Sequence, residues 1–593
     1  MPMHINSSNI DGANSLPAAM FHTAECYAAD PAQWRREKNA YLPITYAQMA
    51  SRVRYLACGL IRAGIKRGNR IAILMENRPE WAVIDYAILS VGAVSVPLYC
   101  SYHPQDMSYV LNDSGVVAVF TSGSKLLLHL LAAVESCSHV RCIYALEACD
   151  HKLVKTVVSL EAGELDEEAL DKRLSKLDRN TLATLVYTSG TTATPKGVML
   201  THGNIITNLE SVPAVLELSM GHAGDRMLSF LPLAHALERT GTHFLSYSFG
   251  LSVAFAERPD TVAKNMSEVR PTMMITVPRM LEVIRRRILG QVAQQSFLKQ
   301  KLFFLYLKLA GKQEQNLVDS LLLPLLDRLV GTKIRQRFGG HLRVFICGGA
   351  PLNVDVAIFF EALGLPILEG YGLSESAPLI SVNPMRDRRI GTVGIAAKGV
   401  EINIADDGEI LARGANIMPG YWKNRKFTKE SLQDGWLHTG DIGTLDRDGY
   451  LRITDRKKDI IVNSGGENMA PQRIEQLLII DHKVDQVVVY GDQKPYLVAL
   501  IVANEEACKA WAQEQGLPES DWQQLCDSLI LKKHLQTTIN STLKPLNSFE
   551  QIRRIHLIGK PFSIENGMLT PTLKIKRRKV CEEYGEILEA LYS

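Results

Sequence analysis

One short run of residues is built for binding an anion. Tyr187-Thr-Ser-Gly-Thr-Thr-Ala-Thr-Pro-Lys-Gly197 gathers hydroxyls, glycine and a lysine. Small residues let backbone N–H groups converge on an anion, and a lysine adds a compact charge suited to phosphate. Thr188, Ser189, Gly190, Thr191, Thr192 and Lys196 are therefore candidate phosphate ligands. The run fails the Walker A pattern. Aligned on Gly190, the second glycine falls on Pro195 and the Ser/Thr on Gly197, which argues against an ordinary P-loop phosphotransferase. A G-x-G-x-x-G fingerprint is missing too, because Gly370-Tyr-Gly372 meets Glu375 where glycine is required. Taken alone, the run also suits an ordinary turn.

Other groups extend the chemistry. Glu375 lies in Tyr371-Gly-Leu-Ser-Glu-Ser376, and a carboxylate is a hard oxygen ligand for Mg²⁺, a cation that bridges phosphates. Asp441 lies in Trp436-Leu-His-Thr-Gly-Asp-Ile-Gly443, and the two oxygens of a carboxylate match a vicinal diol such as ribose. Arg456 and Lys458 sit in Asp455-Arg-Lys-Lys-Asp-Ile-Ile-Val-Asn-Ser-Gly-Gly-Glu467, and Lys574 in Leu569-Thr-Pro-Thr-Leu-Lys-Ile-Lys-Arg-Arg578. His235 and Glu238 are three apart in Leu231-Pro-Leu-Ala-His-Ala-Leu-Glu-Arg239, but no third ligand makes them a metal site. Each has a plainer reading: a surface ion pair for Glu375, a turn residue for Asp441, a solvated basic turn for residues 456–458. For His235 it is a packed helix-start histidine, and for Lys576, Arg577 and Arg578 a solvated basic face.

The elements that must position these groups alternate between strand and helix. Strands are expected at 181–187, 342–347 and 366–368, with a helix at 353–363. Such alternation implies parallel sheets covered by helices. Segments 401–404 and 409–412 flank the turn Asp406-Asp407-Gly408 as a hairpin. Further on, strands are expected at 487–490 and 497–502 and helices at 505–515 and 521–543. The fold class is α/β: a large N-terminal domain (1–455) of doubly wound sheets with a small β-barrel-like subdomain (about 391–455), then a smaller mobile α+β domain (456–593). A Leu/Phe-rich insert at 291–337 reads as a packed helical pair or as a hydrophobic surface that takes substrate from a membrane.

Composition narrows the classes. A chain of 593 residues exceeds one compact core, and a hydrophobic share of 46% is ordinary. A net charge of +3 argues against a basic nucleic-acid-binding surface. None of the 10 cysteines forms a C-x-x-C pair, and Cys137, Cys142 and Cys149 lack zinc spacing, so reduced thiols in the cytoplasm are expected. Residues 1–19 lack a signal-peptide layout, and the uncharged run 86–103 is broken by Gly92 and Pro97, which favours a buried βα unit. Attachment is at most peripheral, at the inner face of a membrane.

In their order along the chain, these motifs resemble the acyl-adenylate-forming (AMP-binding) superfamily of acyl-CoA synthetases, adenylation domains and firefly-type luciferases, over about residues 42–579. The one departure in the first motif is Ala193, where the family usually has glycine; a positive φ there would strain alanine. The resemblance implies ATP, Mg²⁺ and coenzyme A. It makes Thr188 and Glu375 the metal ligands, and Gly349, Ala350, Pro351, Glu369, Gly370, Tyr371, Gly372 and Ser374 nucleotide contacts, with Tyr371 near adenine. Asp441 and Arg456 would hold ribose, Lys574 would be the catalytic lysine and Lys458 the hinge. Gly465 and Gly466 would line the CoA path, and His235 and Glu238 the acyl pocket. The insert, the segment at 233–241 and the ending at 569–574 resemble the long-chain fatty acyl-CoA synthetase branch. That branch implies activation of a fatty acid to acyl-AMP with loss of pyrophosphate, then transfer to CoA, with the C-terminal domain rotating between steps. Partners would be fatty acid, ATP and CoA, without nucleic acid; contact with an anionic membrane and a homodimer stay open. The alternatives are an adenylating ligase of another branch, for aryl or medium-chain acids or a carrier protein, and a non-enzymatic acyl- or nucleotide-binding scaffold.

Overall fold

Apolar, β-branched runs bounded by glycine and proline become the strands of two mixed sheets. The computed structural model describes residues 10, 12–38, 40–188, 195–216, 224–258, 261–312, 316–517 and 521–593. Among these, the larger sheet has nine strands, in the order Ile395–Ala396, Leu379–Val382, Ile367–Gly372, Val344–Cys347, Met273–Thr276, Arg226–Ser229, Ser252–Phe255, Pro31–Glu37 and Ala40–Thr45. From Ile367–Gly372 to Pro31–Glu37 the neighbours are parallel, and antiparallel pairs close both edges. Met273–Thr276 and Ser252–Phe255 are buried at every residue, as central strands covered on both faces must be.

The second sheet orders Gly420–Tyr421, Lys196–Thr201, Leu182–Thr188, Val94–Leu98, Arg70–Leu74, Val116–Thr121, Cys142–Ala145 and Val154–Thr156. Leu182–Thr188 runs parallel to Val94–Leu98 and antiparallel to Lys196–Thr201. The α/β class is thus observed, with strands and helices close to the expected places. The helix at Val354–Ala362 is capped by Asn353, whose Oδ1 accepts from the Asp355 N–H at 2.8 Å.

Two expectations need correction. The run 86–103 is the end of helix Pro79–Ser90 followed by strand Val94–Leu98, not strand then helix. Pro79 suits the first turn of a helix, and Gly92, at φ +72°, turns the chain into the strand. The single helix expected at 521–543 is two, Trp522–Asp527 and Leu529–Leu543. Ser528 takes an extended backbone and caps the second helix, its hydroxyl accepting from the Ile530 N–H.

The chain divides into two compact units: 1–403, 411–439 and 445–451, and 404–410, 440–444 and 452–593. Strands Val400–Ile404, Glu409–Gly414, Trp436–Leu445 and Leu451–Arg456 lie where the division passes. The second unit is built on Leu497–Ala503, antiparallel to Val484–Tyr490 and parallel to Ile552–Ile558. Helices Pro471–Leu478 and Leu529–Leu543 share one core with this sheet. All ten cysteines are free thiols. No helix among the described residues is long and apolar enough to cross a membrane.

Candidate functional site

Two clusters hold most of the expected residues, one in each unit. In the first unit, strand Leu182–Thr188 ends where the phosphate run begins, and Thr188 pairs directly with Lys196 across the ladder. Ser189, Gly190, Thr191, Thr192 and Ala193 lie outside the described residues, yet both ends of their loop are fixed by this pairing. The Tyr187 hydroxyl donates to Asp113 Oδ2 at 2.5 Å and anchors the strand end. Lys196 Nζ lies 3.3 Å from the ring centre of Phe427 and 5.5 Å from that of Tyr421, a cation–π cradle.

Tyr421 connects that lysine to the carboxylate. Its hydroxyl donates to Glu375 Oε1 at 2.8 Å, and the Met418 N–H donates to the Glu375 carbonyl at 2.8 Å. Glu375 sits in the short turn Ser374–Ser376, which two buried amides clamp from behind. Asn416 Nδ2 donates to the carbonyls of Ser376 and Leu379, at 3.1 and 2.8 Å, and Asn208 bonds the same two residues. Gly372 must lack a side chain, since a Cβ would stand 1.7 Å from the Pro378 carbonyl oxygen. Asn208, Asn416, Tyr421 and Phe427 were not singled out from the sequence. Asn416 and Tyr421 lie in a hydrophobic-polar mixture whose roles appear only once Glu375 is placed beside them.

Strand Val344–Cys347 leads into Gly348-Gly349-Ala350-Pro351, where Gly349 has φ +87°. Next to it, Glu369 pairs with Cys347 and is buried, which pushes its carboxyl up to about 7. Tyr371 is buried in the same strand. His235 caps a short helix, its Nδ1 accepting from the Leu237 N–H at 3.2 Å, as the plainer reading expects. Glu238 is fully buried, and burial raises its carboxyl to about 8 despite nearby Ser229 and Thr242. Arg239 makes a buried two-pronged pair with Asp85, at 2.6 and 3.1 Å, and reaches Thr184 Oγ1 at 2.7 Å. Burial opposes the Asp85 charge, yet Arg239 and His243 outweigh it and hold the carboxyl down at about 2. This network ties the strand that feeds the phosphate loop to the helices after Ala236.

The second unit holds Asp441, Arg456 and Lys574. Arg456 Nε donates to Asp441 Oδ1 at 2.9 Å, and Asp441 is buried. Lys574 is partly buried; burial, then the like charge of Arg456, lowers its ammonium to about 8, with Asp441 opposing. Its loop is short and tightly tied: the Thr570 N–H donates to the Lys574 carbonyl, and the Lys574 N–H donates to Thr570 Oγ1 at 3.0 Å. Lys457 Nζ meets Asp407 Oδ2 at 2.5 Å and Glu409 Oε2 at 3.1 Å, so the basic turn is paired rather than merely solvated. Arg577, expected on a solvated face, instead donates to Glu475 Oε1 at 2.6 Å and to the Val489 carbonyl at 2.7 Å, because the chain turns inward after Lys574. Gly466 has φ +83° with open space beside it, so it answers a turn, and the Gly465 N–H donates to Asn463 Oδ1 at 2.9 Å.

Glu375 and Thr188 offer hard oxygens, and no group of three or more His, Cys, Asp or Glu among the described residues forms a metal cage. The residues present fit a cation that arrives with its phosphates.

Comparison with known proteins adds an independent line. Residues 20–422 match the AMP-binding enzyme family, and residues 458–593 match the AMP-binding enzyme C-terminal domain. The chain is 34% identical to a long-chain-fatty-acid–CoA ligase of Mycobacterium bovis, over 93% of this chain and 92% of that one. It is 33% identical to long-chain-fatty-acid–CoA ligase 6 of Rattus norvegicus, over 94% and 84%. Among solved structures, the A domain of carboxylic acid reductase from Segniliparus rugosus, in complex with AMP and a co-purified carboxylic acid, superposes with a TM-score of 0.78 at 22% identity, covering 99% of this chain and 96% of that one. A Mycobacterium tuberculosis fatty acyl CoA synthetase gives 0.60 at 22%, covering 97% and 99%.

Proposed function

The chain belongs to the AMP-binding enzyme family, and from that membership we propose that it is an AMP-forming long-chain fatty acid–CoA ligase. A carboxylate is a poor electrophile because its oxygen leaves badly. Its attack on the α-phosphorus of ATP expels pyrophosphate and gives an acyl-adenylate; the CoA thiol then attacks the acyl carbon and AMP leaves. Positioning and stabilisation of negative charge do most of this work.

Thr188, Lys196 and the loop between them hold the triphosphate, and Glu375 with Thr188 would hold Mg²⁺, which supplies charge neutralisation on the phosphates. Residues Gly349 to Pro351, Glu369 to Gly372 and Ser374 take the adenine side, Asp441 and Arg456 the ribose. Lys574 stabilises charge on the α-phosphate. His235 and Glu238 belong to the acyl side, Gly465 and Gly466 to the CoA side. Residues 1–455 and 456–593 act as the two domains, with Lys458 as hinge. The protein works in the cytoplasm.

The observation that carries this reading is the Asp441–Arg456–Lys574 group. It places a diol-matching carboxylate beside a lysine of lowered basicity, in a chain that long-chain ligases match over most of their length. Acid-dependent ATP–pyrophosphate exchange, from acetate to long-chain and aryl acids, tests it. Exchange should rise with long-chain fatty acids and product release should require CoA. Exchange with no fatty acid, or release only to a carrier protein, would sink the reading and favour another adenylating branch.

A further inference from the structure

One helical turn is bonded to both walls of the phosphate site. Helix Ala236–Glu238 runs into the π-helical turn Arg239–Phe244 and on into helix Leu245–Phe249. Turns of this kind are rare and occur frequently at functional sites. Here two successive residues reach two different walls. Arg239 Nη1 donates to Thr184 Oγ1 at 2.7 Å, in the strand Leu182–Thr188 that ends on a proposed metal ligand. Asp85 holds the other side of the guanidinium at 2.6 and 3.1 Å, and also meets His243 Nε2 at 3.1 Å. The Thr240 hydroxyl donates to the Ala377 carbonyl at 3.2 Å, just after the turn that carries Glu375. Asp85, Thr184, Arg239, Thr240 and Ala377 are all buried.

The bond from Thr240 supports a backbone that needs support. Ala377 is left-handed, with φ +64°, a conformation that alanine rarely adopts and that persists only where its surroundings hold it. Asn208 and Asn416 clamp Ser376 and Leu379 on either side, and Thr240 takes the Ala377 carbonyl itself. The turn that aims Glu375 is thus tied to a hydroxyl 137 positions away in sequence. Gly241 lets the helical turn lie close on strand Met273–Thr276, since a Cβ there would stand 3.0 Å from Ile275 Cδ1. Leu237, just before the turn, lies 3.6 Å from where a Cβ on Gly348 would be, so it backs the adenine-side loop as well. Mg²⁺ demands near-ideal octahedral geometry and tolerates little error in ligand position. Thr188 and Glu375 come from different sheets, and this turn is bonded to the support of each.

We propose that Arg239 and Thr240 are positioning residues that set Thr188 and Glu375 in register for the metal–triphosphate complex. This rests on the ligase reading above and deepens its phosphate site. The test is equilibrium binding of MgATP and of AMP to the full chain by calorimetry, with no acid present, so that nothing turns over. Thr240→Val keeps the shape of the side chain and removes its hydroxyl. MgATP affinity should then fall about fivefold, as for one lost hydrogen bond, with melting temperature and AMP affinity close to wild type. AMP is spared because it lacks the phosphates that Mg²⁺ bridges. Thr240→Ser keeps the hydroxyl and should bind MgATP within about twofold of wild type. Thr184→Val against Thr184→Ser should repeat the pattern on the other wall. In a Glu375→Gln background, Thr240→Val should cost less than about twofold, because a residue that acts through Glu375 has nothing left to position. Unchanged MgATP affinity in either valine variant, equal loss of MgATP and AMP, no rescue by serine, or an undiminished effect in the Glu375→Gln background would overturn the proposal. Wild type that binds MgATP but shows no exchange with any fatty acid would count against the long-chain reading and leave this result standing. Wild type that fails to bind MgATP would sink the ligase reading and this proposal together.

Discussion

The two clusters are held in different ways. Around Glu375 and Lys196, β-ladders, two clamping asparagines and the Tyr421 hydroxyl fix every group from several sides. Around Lys574, a short loop and its own hydrogen bonds carry a lysine whose basicity is already lowered by burial. A rigid cradle suits the proposed triphosphate site, which must hold one geometry until pyrophosphate leaves. A lightly tied lysine suits a charge needed in only one of two steps. Where many bonds fix a group, removing one should weaken binding in a graded way; where one group carries the charge, removing it should abolish a step.

The largest effect expected outside Lys574 is at Asp441. Asp441→Ala removes the proposed acceptor of the diol and breaks the ion pair with Arg456. Hydrogen bonds to charged groups are worth about 1.5–3 kcal/mol, so kcat/KM for ATP should fall about a hundredfold in steady-state assays. A loss below a few fold would break the ribose assignment.

Tyr421→Phe probes the over-determined side. It removes one bond to Glu375 while the backbone and asparagine clamps remain, so KM for MgATP should rise about five- to tenfold with kcat little changed. A collapse of kcat would mean that the cradle hangs on this one hydroxyl.

The pH profile separates the clusters further. Lys574 is cationic below about 8, so kcat/KM for ATP should fall as pH rises through that value. Bound triphosphate favours the ammonium, and the corresponding limb of kcat should lie at higher pH. Lys574→Arg, always charged, should lose the alkaline limb even though its activity is low.

The last effect concerns stability and leaves the chemistry of the two clusters untouched. Glu238 is raised to about 8 by burial, above the usual carboxylate value, so folding takes up a proton. Its contribution is fully present below the unfolded value and is lost as pH rises towards 8, at up to about 1.4 kcal/mol per pH unit. Denaturant titrations of Glu238→Gln should therefore gain on wild type across that window. A constant difference would show that the carboxyl is not neutral in the fold.

Much of this was legible in the sequence. The strand before the phosphate run, the helix after Asn353 and the strands of the second unit follow from periodicity, because each buries one face and shows it in residue type. The family follows from motifs that cannot be read one by one: Glu375 alone is a surface carboxylate, and Asp441 alone is a turn residue. What stayed hidden depends on contacts far apart in the chain. Asn208 and Asn416 support the Glu375 turn across 168 and 40 positions of sequence, and nothing local marks them. Arg577 reads as a solvated charge because its partner, Glu475, lies 102 residues away. The packed stripe of the insert, which buries Phe303, Tyr306 and Leu309, was also undecided, since helical spacing gives apolar stripes without saying which one is covered.

The division of labour between the clusters is tested most directly by assaying Lys574→Ala in each half-reaction separately. Fatty-acid-dependent ATP–pyrophosphate exchange should be abolished, while thioester formation from supplied acyl-AMP and CoA should stay within a few fold of wild type. Equal loss of both half-reactions would contradict the assignment of Lys574 to adenylation alone.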